Sequence, residues 1–224
     1  MRTALIIGAS RGIGREFARQ YRADGWRVIA TARKEEDLAD LTAIGCEALA
    51  LDVTSAAECA AIAARLEGER LDVAIQGAGV LGQRSQGLEA PTEEIFDTVM
   101  HTNVLAAMRL LPAIGPLVAN AGGRLAVISS RMGSIGLRND SSSWLYRASK
   151  AALNSVLADA ALELGPRGAV CVAFHPGWVR TEMGGAGADL PVEQSVSGMR
   201  ATLAALTAKD NGSFLNYDGK QLTW

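Results

Sequence analysis

The chain reads as an α/β protein, an open, doubly wound parallel sheet of about seven strands with helices on both faces. Three observations lead there. Short apolar runs alternate strictly with helical patterns along all 224 residues, and such alternation requires a parallel sheet with right-handed crossovers. The first run, Thr3-Ala4-Leu5-Ile6-Ile7, is continuous and not alternating, as expected for a strand buried on both faces. It passes directly into a glycine-rich turn and then into a helical pattern at Phe17, Ala18 and Tyr21.

The elements follow in order. Strands are expected over 3–8, 27–31, 46–51, 71–76, 124–129 and 169–174, with a short one near 213–215. Helices are expected over 12–24, 35–43, 55–67, 92–118, 145–164 and 191–207. The helix over 145–164 is the clearest: Leu153, Val156, Leu157, Ala160, Ala161 and Leu164 form one apolar stripe, ended by Gly165-Pro166. Pro112 and Pro116 fall inside the 92–118 pattern, so that helix is expected to kink or break there. No repeat or low-complexity linker divides the chain, and residues 1–224 are read as one domain carrying every site.

Composition narrows the function. Apolar residues make up 49% of the chain, enough to fill a sizeable core. A formal charge of −2 and a pI near 5.8 argue against nucleic acid as the main partner. No apolar run approaches the ~20 residues of a membrane span, and no secretory signal opens the sequence. Cys46, Cys59 and Cys171 lack metal-ligand spacing and read as buried thiols of a reducing, cytoplasmic setting. His101 and His175 have no Cys or acidic cluster beside them, so no metal site is expected.

Two motifs carry chemistry. Gly8-Ala9-Ser10-Arg11-Gly12-Ile13-Gly14 lies between a buried strand and a helix start. There, backbone N–H groups and the helix dipole favour a phosphate, and glycines let the backbone approach it. The second motif is Tyr146 and Lys150, four residues apart and therefore on one helix face. A free phenol has a pKa of about 10. A neighbouring ammonium is expected to lower it, so that the phenol can exchange a proton with an alkoxide or an alcohol.

Together these residues resemble the short-chain dehydrogenase/reductase family along nearly the whole chain. The glycine motif matches, as does Asp52-Val53 at the end of the third strand. Gln76-Gly77-Ala78-Gly79 stands at the family's Asn-Asn-Ala-Gly; Asn103, Ser130, Tyr146 and Lys150 match its catalytic set; Pro176-Gly177-Trp178-Val179-Arg180-Thr181 matches its Pro-Gly segment. Tyr146 to Asn154, His175 to Gly185 and Phe214 to Gly219 look like the C-factor/sniffer-like branch, which includes carbonyl reductases and a developmental signalling protein. Three departures stand out. Ile7 replaces a Thr, Gln76-Gly77 replace Asn-Asn, and Ser130 lies 16 residues before Tyr146, farther than in many members. Ser129 is the alternative catalytic serine.

The resemblance implies a Rossmann-type oxidoreductase that passes a hydride between a nicotinamide and a carbonyl or alcohol. Ser130 would bind the carbonyl oxygen and Tyr146 would move the proton. Lys150 would tune the Tyr and bind the ribose, and Asn103 would hold a water linked to solvent. Gly8, Ser10, Arg11, Gly12, Ile13, Gly14, Arg33, Asp52, Val53, Ala78, Gly79, Tyr146, Lys150, Pro176, Gly177, Val179 and Thr181 are the expected cofactor contacts. The second strand ends in Arg33-Lys34 with no acid, and Arg11 and Arg33 converging there would suit the 2′-phosphate of NADP over NAD. The substrate is expected to be a small or medium aldehyde, ketone or alcohol, shaped by residues 80–90, 134–143 and those after Thr181. Trp144, Met132, Leu137, Trp178 and Met183 are candidates for an apolar wall. Family habit implies a homodimer or homotetramer. The other reading is a nucleotide-binding signalling or regulatory protein with incidental turnover.

Overall fold

The computed structural model describes residues 1–224. Strands β1 (Thr3–Ile7), β2 (Arg27–Ala32), β3 (Glu47–Ala50), β4 (Val73–Gln76), β5 (Arg124–Ile128), β6 (Val170–His175) and β7 (Ser213–Asn216) form one sheet. They alternate with α1 (Gly12–Ala23), α2 (Glu35–Ala43), α3 (Ala56–Arg65), α4 (Glu93–Met100), α5 (Ala106–Ala121), α6 (Trp144–Leu164) and α7 (Val192–Ala205). Every pairing is parallel, in the order β3-β2-β1-β4-β5-β6-β7. The winding reverses between β1 and β4. Such a reversal opens a crevice beyond the strands' carboxyl ends, where α/β sheets bind ligands.

The pleat sorts side chains into two cores. Leu5, Ile7, Ala74, Val127 and Ala173 face one side, with Leu110, Ile114, Leu153 and Leu157 of α5 and α6. Ala4, Ile6, Ile75, Ile128 and Phe174 face the other, with Phe17 of α1 and Val196 and Met199 of α7. Full burial of each large aliphatic side chain contributes roughly 1.5–3 kcal/mol. This burial on both faces is what the unbroken apolar strands imply. The three cysteines are free and buried; burial pushes their thiols up, to about 11 at Cys46 and about 12 at Cys171.

Two expectations need correction. The long helical pattern does not break at its prolines: α5 runs through Pro112 and Pro116, and the irregularity is a π-helical turn earlier, at His101–Leu105. Pro112 lies on the exposed side of α5, and so does Met108, whose carbonyl the missing N–H would have engaged. Water can satisfy that carbonyl, so the proline costs little. The second correction concerns membranes. Glu93–Ala121 forms a 29-residue helical run that is long and apolar enough to cross one by length and composition. Its apolar stripe, including Leu110, Leu111, Ile114 and Val118, is spent on the protein core, as in a buried helix of a globular domain.

At the amino end of β5 two stretches of backbone nearly touch. A Cβ on Gly123 would stand 2.3 Å from the Leu71 carbonyl oxygen, and no side-chain rotation relieves that clash. Gly123→Ala is expected to destabilise the fold by about 1–3 kcal/mol, read as a lower urea midpoint. Because this edge lies opposite the crevice, kcat should stay at the wild-type value.

Candidate active site

The crevice begins at the end of β1. Gly8 has a φ of +81°, and a Cβ there would lie 2.8 Å from the backbone of Ala78. A Cβ on Gly14 would lie 2.1 Å from the Gly8 carbonyl oxygen, so α1 docks directly against the strand end. Arg11 occupies the N-cap position and supplies no capping bond, and the first turn of α1 carries no acid. Its N–H groups and dipole are therefore free to meet an anion. Gly12, with a φ of +54°, packs against the Thr181 methyl. Ser10 is half-buried at the turn, and Ile13 packs on the α1-side core. A backbone cradle that any side chain would fill, topped by an uncapped helix, fits a dinucleotide pyrophosphate.

Beyond β5, the two adjacent serines face opposite ways. Ser129 is buried, and its hydroxyl lies 2.5 Å from Asn154 Oδ1 on α6. Ser130 instead sits beside Tyr146. Its Oγ accepts the Met132 N–H at 3.1 Å, and its hydrogen bonding is the one influence pulling the Tyr146 phenol down. Lys150 is buried and donates from Nζ to the Ile128 carbonyl at 2.8 Å, with its ammonium 5.6 Å from the centre of the Tyr146 ring. Gly79 and Gly133 make room for it. A Cβ on Gly79 would meet both Lys150 Nζ and Asn103 Oδ1 at 3.3 Å, and one on Gly133 would stand 2.7 Å from the Lys150 carbonyl carbon.

Burial reverses the expected electrostatics. The Tyr146 phenol is pushed up to about 12 by burial, against the opposing pull of Ser130. Burial also lowers the Lys150 amine to about 8. Desolvation thus sets the direction of both shifts, and the lowering expected from the neighbouring ammonium is not found. The phenol stays neutral at physiological pH, which is the protonation state a proton donor needs.

Asn103 lies in the π-helical turn and is buried. Its amide accepts from Val80 N–H and donates to Val80 O, both at 2.8 Å, and donates to Ser149 Oγ at 2.9 Å. The side chain thus ties the segment after β4 to α6 across the turn. Ser149 and Val80, which sequence reasoning passed over, are its partners. Ser149 could have been found from its position on the same buried helix face as Tyr146 and Lys150.

The remaining predicted contacts surround this centre. Asp52 tends to be raised by burial, but the Thr54 N–H and hydroxyl, with the Arg33 charge, hold its carboxyl below the usual range. Val53 is buried behind it and Ala78 packs on the core. Gly177 has a φ of +86°, and a Cβ there would strike Leu190 at 2.4 Å. The Pro176 carbonyl accepts from Ser195 at 2.6 Å, and Val179 is bridged to Leu190. Thr181 Oγ1 accepts from Gly184 N–H at 3.1 Å, closing a turn. Arg33 is exposed, and Glu36 pairs with Lys34 and not with it. The expected convergence of Arg11 on Arg33 is not observed: Arg11 is ion-paired across the crevice with Glu182. Of the substitutions, Gln76 is buried with neither amide atom partnered, and Ile7 is fully buried, its carbonyl accepting from Gly77 N–H. Of the wall candidates, Met132 and Leu137 are half-buried; Trp144, Trp178 and Met183 are exposed. The Trp144 and Trp178 indoles donate to the Glu89 and Gly184 carbonyls.

Residues 2–189 match the family model described as short chain dehydrogenase. C-signal of Myxococcus xanthus is 37% identical over 155 residues, 69% of this chain and 93% of that protein. Two solved structures each align over 100% of both chains. The carbonyl reductase Sniffer of D. melanogaster has a TM-score of 0.93 at 29% identity. A carbonyl reductase from Pseudomonas aeruginosa PAO1 in complex with NADP has a TM-score of 0.88 at 34% identity. The chain belongs to the short-chain dehydrogenase family and is an oxidoreductase.

The buried amine also bears on stability. Its folded pKa of about 8 lies below the ordinary lysine value of 10.5, so between those values the unfolded chain binds the proton that the folded chain has released. Stability from this group therefore rises with pH across that window. At pH 7 the buried charge costs on the order of 3 kcal/mol. Lys150→Met is expected to raise the urea midpoint at pH 7 and to lose this group's rise between about pH 8 and 10.5, measured by unfolding at pH 7 and 9.5.

Proposed function

We propose that this chain is an NADPH-dependent carbonyl reductase, reversibly an alcohol dehydrogenase, acting on small or medium aldehydes and ketones. The observation that carries the reading is a neutral, buried Tyr146 with Ser130 on one side and a buried Lys150 on the other. The glycine cradle opens onto the same crevice. The cradle of Gly8, Ser10, Arg11, Gly12, Ile13 and Gly14 would hold the pyrophosphate, and Asp52 and Val53 the adenine. Arg33, exposed and in no salt bridge, with Glu36 paired to Lys34, would take the 2′-phosphate. Ala78, Gly79, Pro176, Gly177, Val179 and Thr181 would flank the nicotinamide end. The bound cofactor supplies the hydride that reduces the carbonyl carbon.

The chain's own groups do the rest. The Ser130 hydroxyl donates to the carbonyl oxygen and stabilises the charge that grows there. Tyr146 then gives its proton to that oxygen. An alkoxide is about as basic as hydroxide and far more basic than a phenolate, so transfer from a phenol at about 12 runs downhill. The phenolate left behind is stabilised by the Lys150 ammonium, which also binds the ribose. The Asn103 side chain is committed to Val80 and Ser149, so its main chain holds the water through which the proton is replaced. Three free buried thiols are in keeping with a reducing, cytoplasmic setting. A purely regulatory nucleotide-binding protein would have no use for a buried ammonium that weakens its fold, and this favours turnover.

NADPH oxidation against a panel of aldehydes, ketones and quinones tests the reading. Tyr146→Phe should lower kcat by about 10²–10⁴-fold; activity that survives in this variant defeats the chemistry. In the reduction direction kcat/KM should be flat at neutral pH and fall above about pH 8, as Lys150 loses its proton. Tyr146 stays protonated up to about 12 and adds no limb below that. Arg33→Asp should shift the preference from NADPH towards NADH, and an unchanged ratio of the two kcat/KM values overturns the cofactor assignment.

A further inference from the structure

After β7 the chain turns at Asp218-Gly219 and comes back along the strand. Asn216 N–H donates to Lys220 O, Leu215 bridges antiparallel to Gln221, and Leu222 N–H donates to Phe214 O at 2.8 Å. This return lays the Trp224 ring on the fully buried Phe214 ring, with centroids 5.3 Å apart and planes within 20°. The main chain there meets the loop that follows Ser130. Ser134, fully buried, places its hydroxyl 2.7 Å from Thr223 O and 3.1 Å from Trp224 O. Gly136 N–H donates to Trp224 O at 3.0 Å, and a Cβ on Gly136 would strike the Thr223 side chain at 2.7 Å.

The same loop is bonded at its other end to the catalytic machinery. Met132 N–H donates to Ser130 Oγ, Gly133 N–H to Ser130 O, and Gly133 packs on the backbone of Lys150. A short chain of contacts therefore runs from Trp224 through Gly136, Ser134 and Gly133 to Ser130. Along it stand Met132 and Leu137, two candidates for the substrate wall. None of the predicted phosphate or adenine contacts lies on it.

We propose that Trp224 is a positioning residue for the carbonyl substrate. Stacked on Phe214, it braces the loop 131–137, and the brace sets where Ser130 and the wall stand. Its effect falls on substrate recognition and leaves cofactor binding alone. The inference rests on the carbonyl reductase reading for its catalytic consequence but not for the brace itself, so the test has two readouts. Hydrogen exchange in the 131–143 segment is measured in the full chain, with kinetics and NADPH affinity, for Trp224→Ala, Ser134→Ala and Trp224→Phe. The first two variants should exchange faster in this segment and raise the aldehyde KM about tenfold, with NADPH Kd within twofold of wild type. Trp224→Phe, which keeps a ring to stack, should restore both. Unchanged exchange in Trp224→Ala overturns the brace whatever the activity. Faster exchange with an unchanged aldehyde KM, or with NADPH affinity lost in parallel, overturns its role in substrate recognition. Faster exchange in a protein whose wild type reduces no carbonyl defeats the functional reading and leaves the brace standing.

Discussion

The hydrogen bond from Lys150 Nζ to the Ile128 carbonyl joins α6 to the end of β5, and the crevice is arranged around it. A buried ammonium must be hydrogen-bonded or lose its proton, and a strand's last carbonyl is a ready acceptor because the ladder no longer uses it. Meeting that acceptor brings α6 down onto the strand ends, where Gly79 and Gly133 leave space for the lysine and its backbone. Tyr146, one turn earlier, is carried into the same desolvated layer. The energetic strain of the arrangement lies in Lys150, whose charge the fold tolerates at a loss of stability. A residue that weakens the protein and is nonetheless enclosed by close backbone packing is a mark of function.

The phosphate side of the crevice works by subtraction. Gly8 and Gly14 bring β1, α1 and Ala78 to within van der Waals contact, and Arg11 leaves the first turn of α1 without a cap. The result is a concave set of N–H groups with no side chain in the way. The Arg11–Glu182 ion pair spans the crevice from glycine loop to the segment after Thr181. Both partners are largely exposed, so the pair contributes little to stability. It ties together the two segments between which a dinucleotide would lie.

The strands and all but one of the helices were legible to within about two residues because burial on both faces leaves unbroken apolar runs and helix stripes leave a 3.6-residue period; the 92–118 pattern runs on to Ala121. The proposed catalytic residues Asn103, Ser130, Tyr146 and Lys150 were legible in the sequence because they occur in the family's order with the family's flanking residues. Other features were not. The direction of the Tyr146 shift depends on how much water reaches the phenol, which spacing along a helix does not report. Where Arg11 points depends on Glu182, far away in the chain. The π-helical turn at Asn103 coincides with side-chain bonds to Val80 and Ser149, neither of which is a helix-breaking signal. Proline is such a signal, and at Pro112 it misleads because the freed carbonyl faces water.

From the amino-acid order alone came the sheet, the glycine cradle and the candidates for the reacting groups, since each depends on local periodicity or on residue types at short spacing. Tertiary structure decided which of two adjacent serines faces Tyr146, how far burial shifts the phenol and the amine, and that Trp224 reaches the loop after Ser130. Those outcomes depend on desolvation and on contacts between residues far apart in the chain, and both come into being only when the sheet and its helices close together.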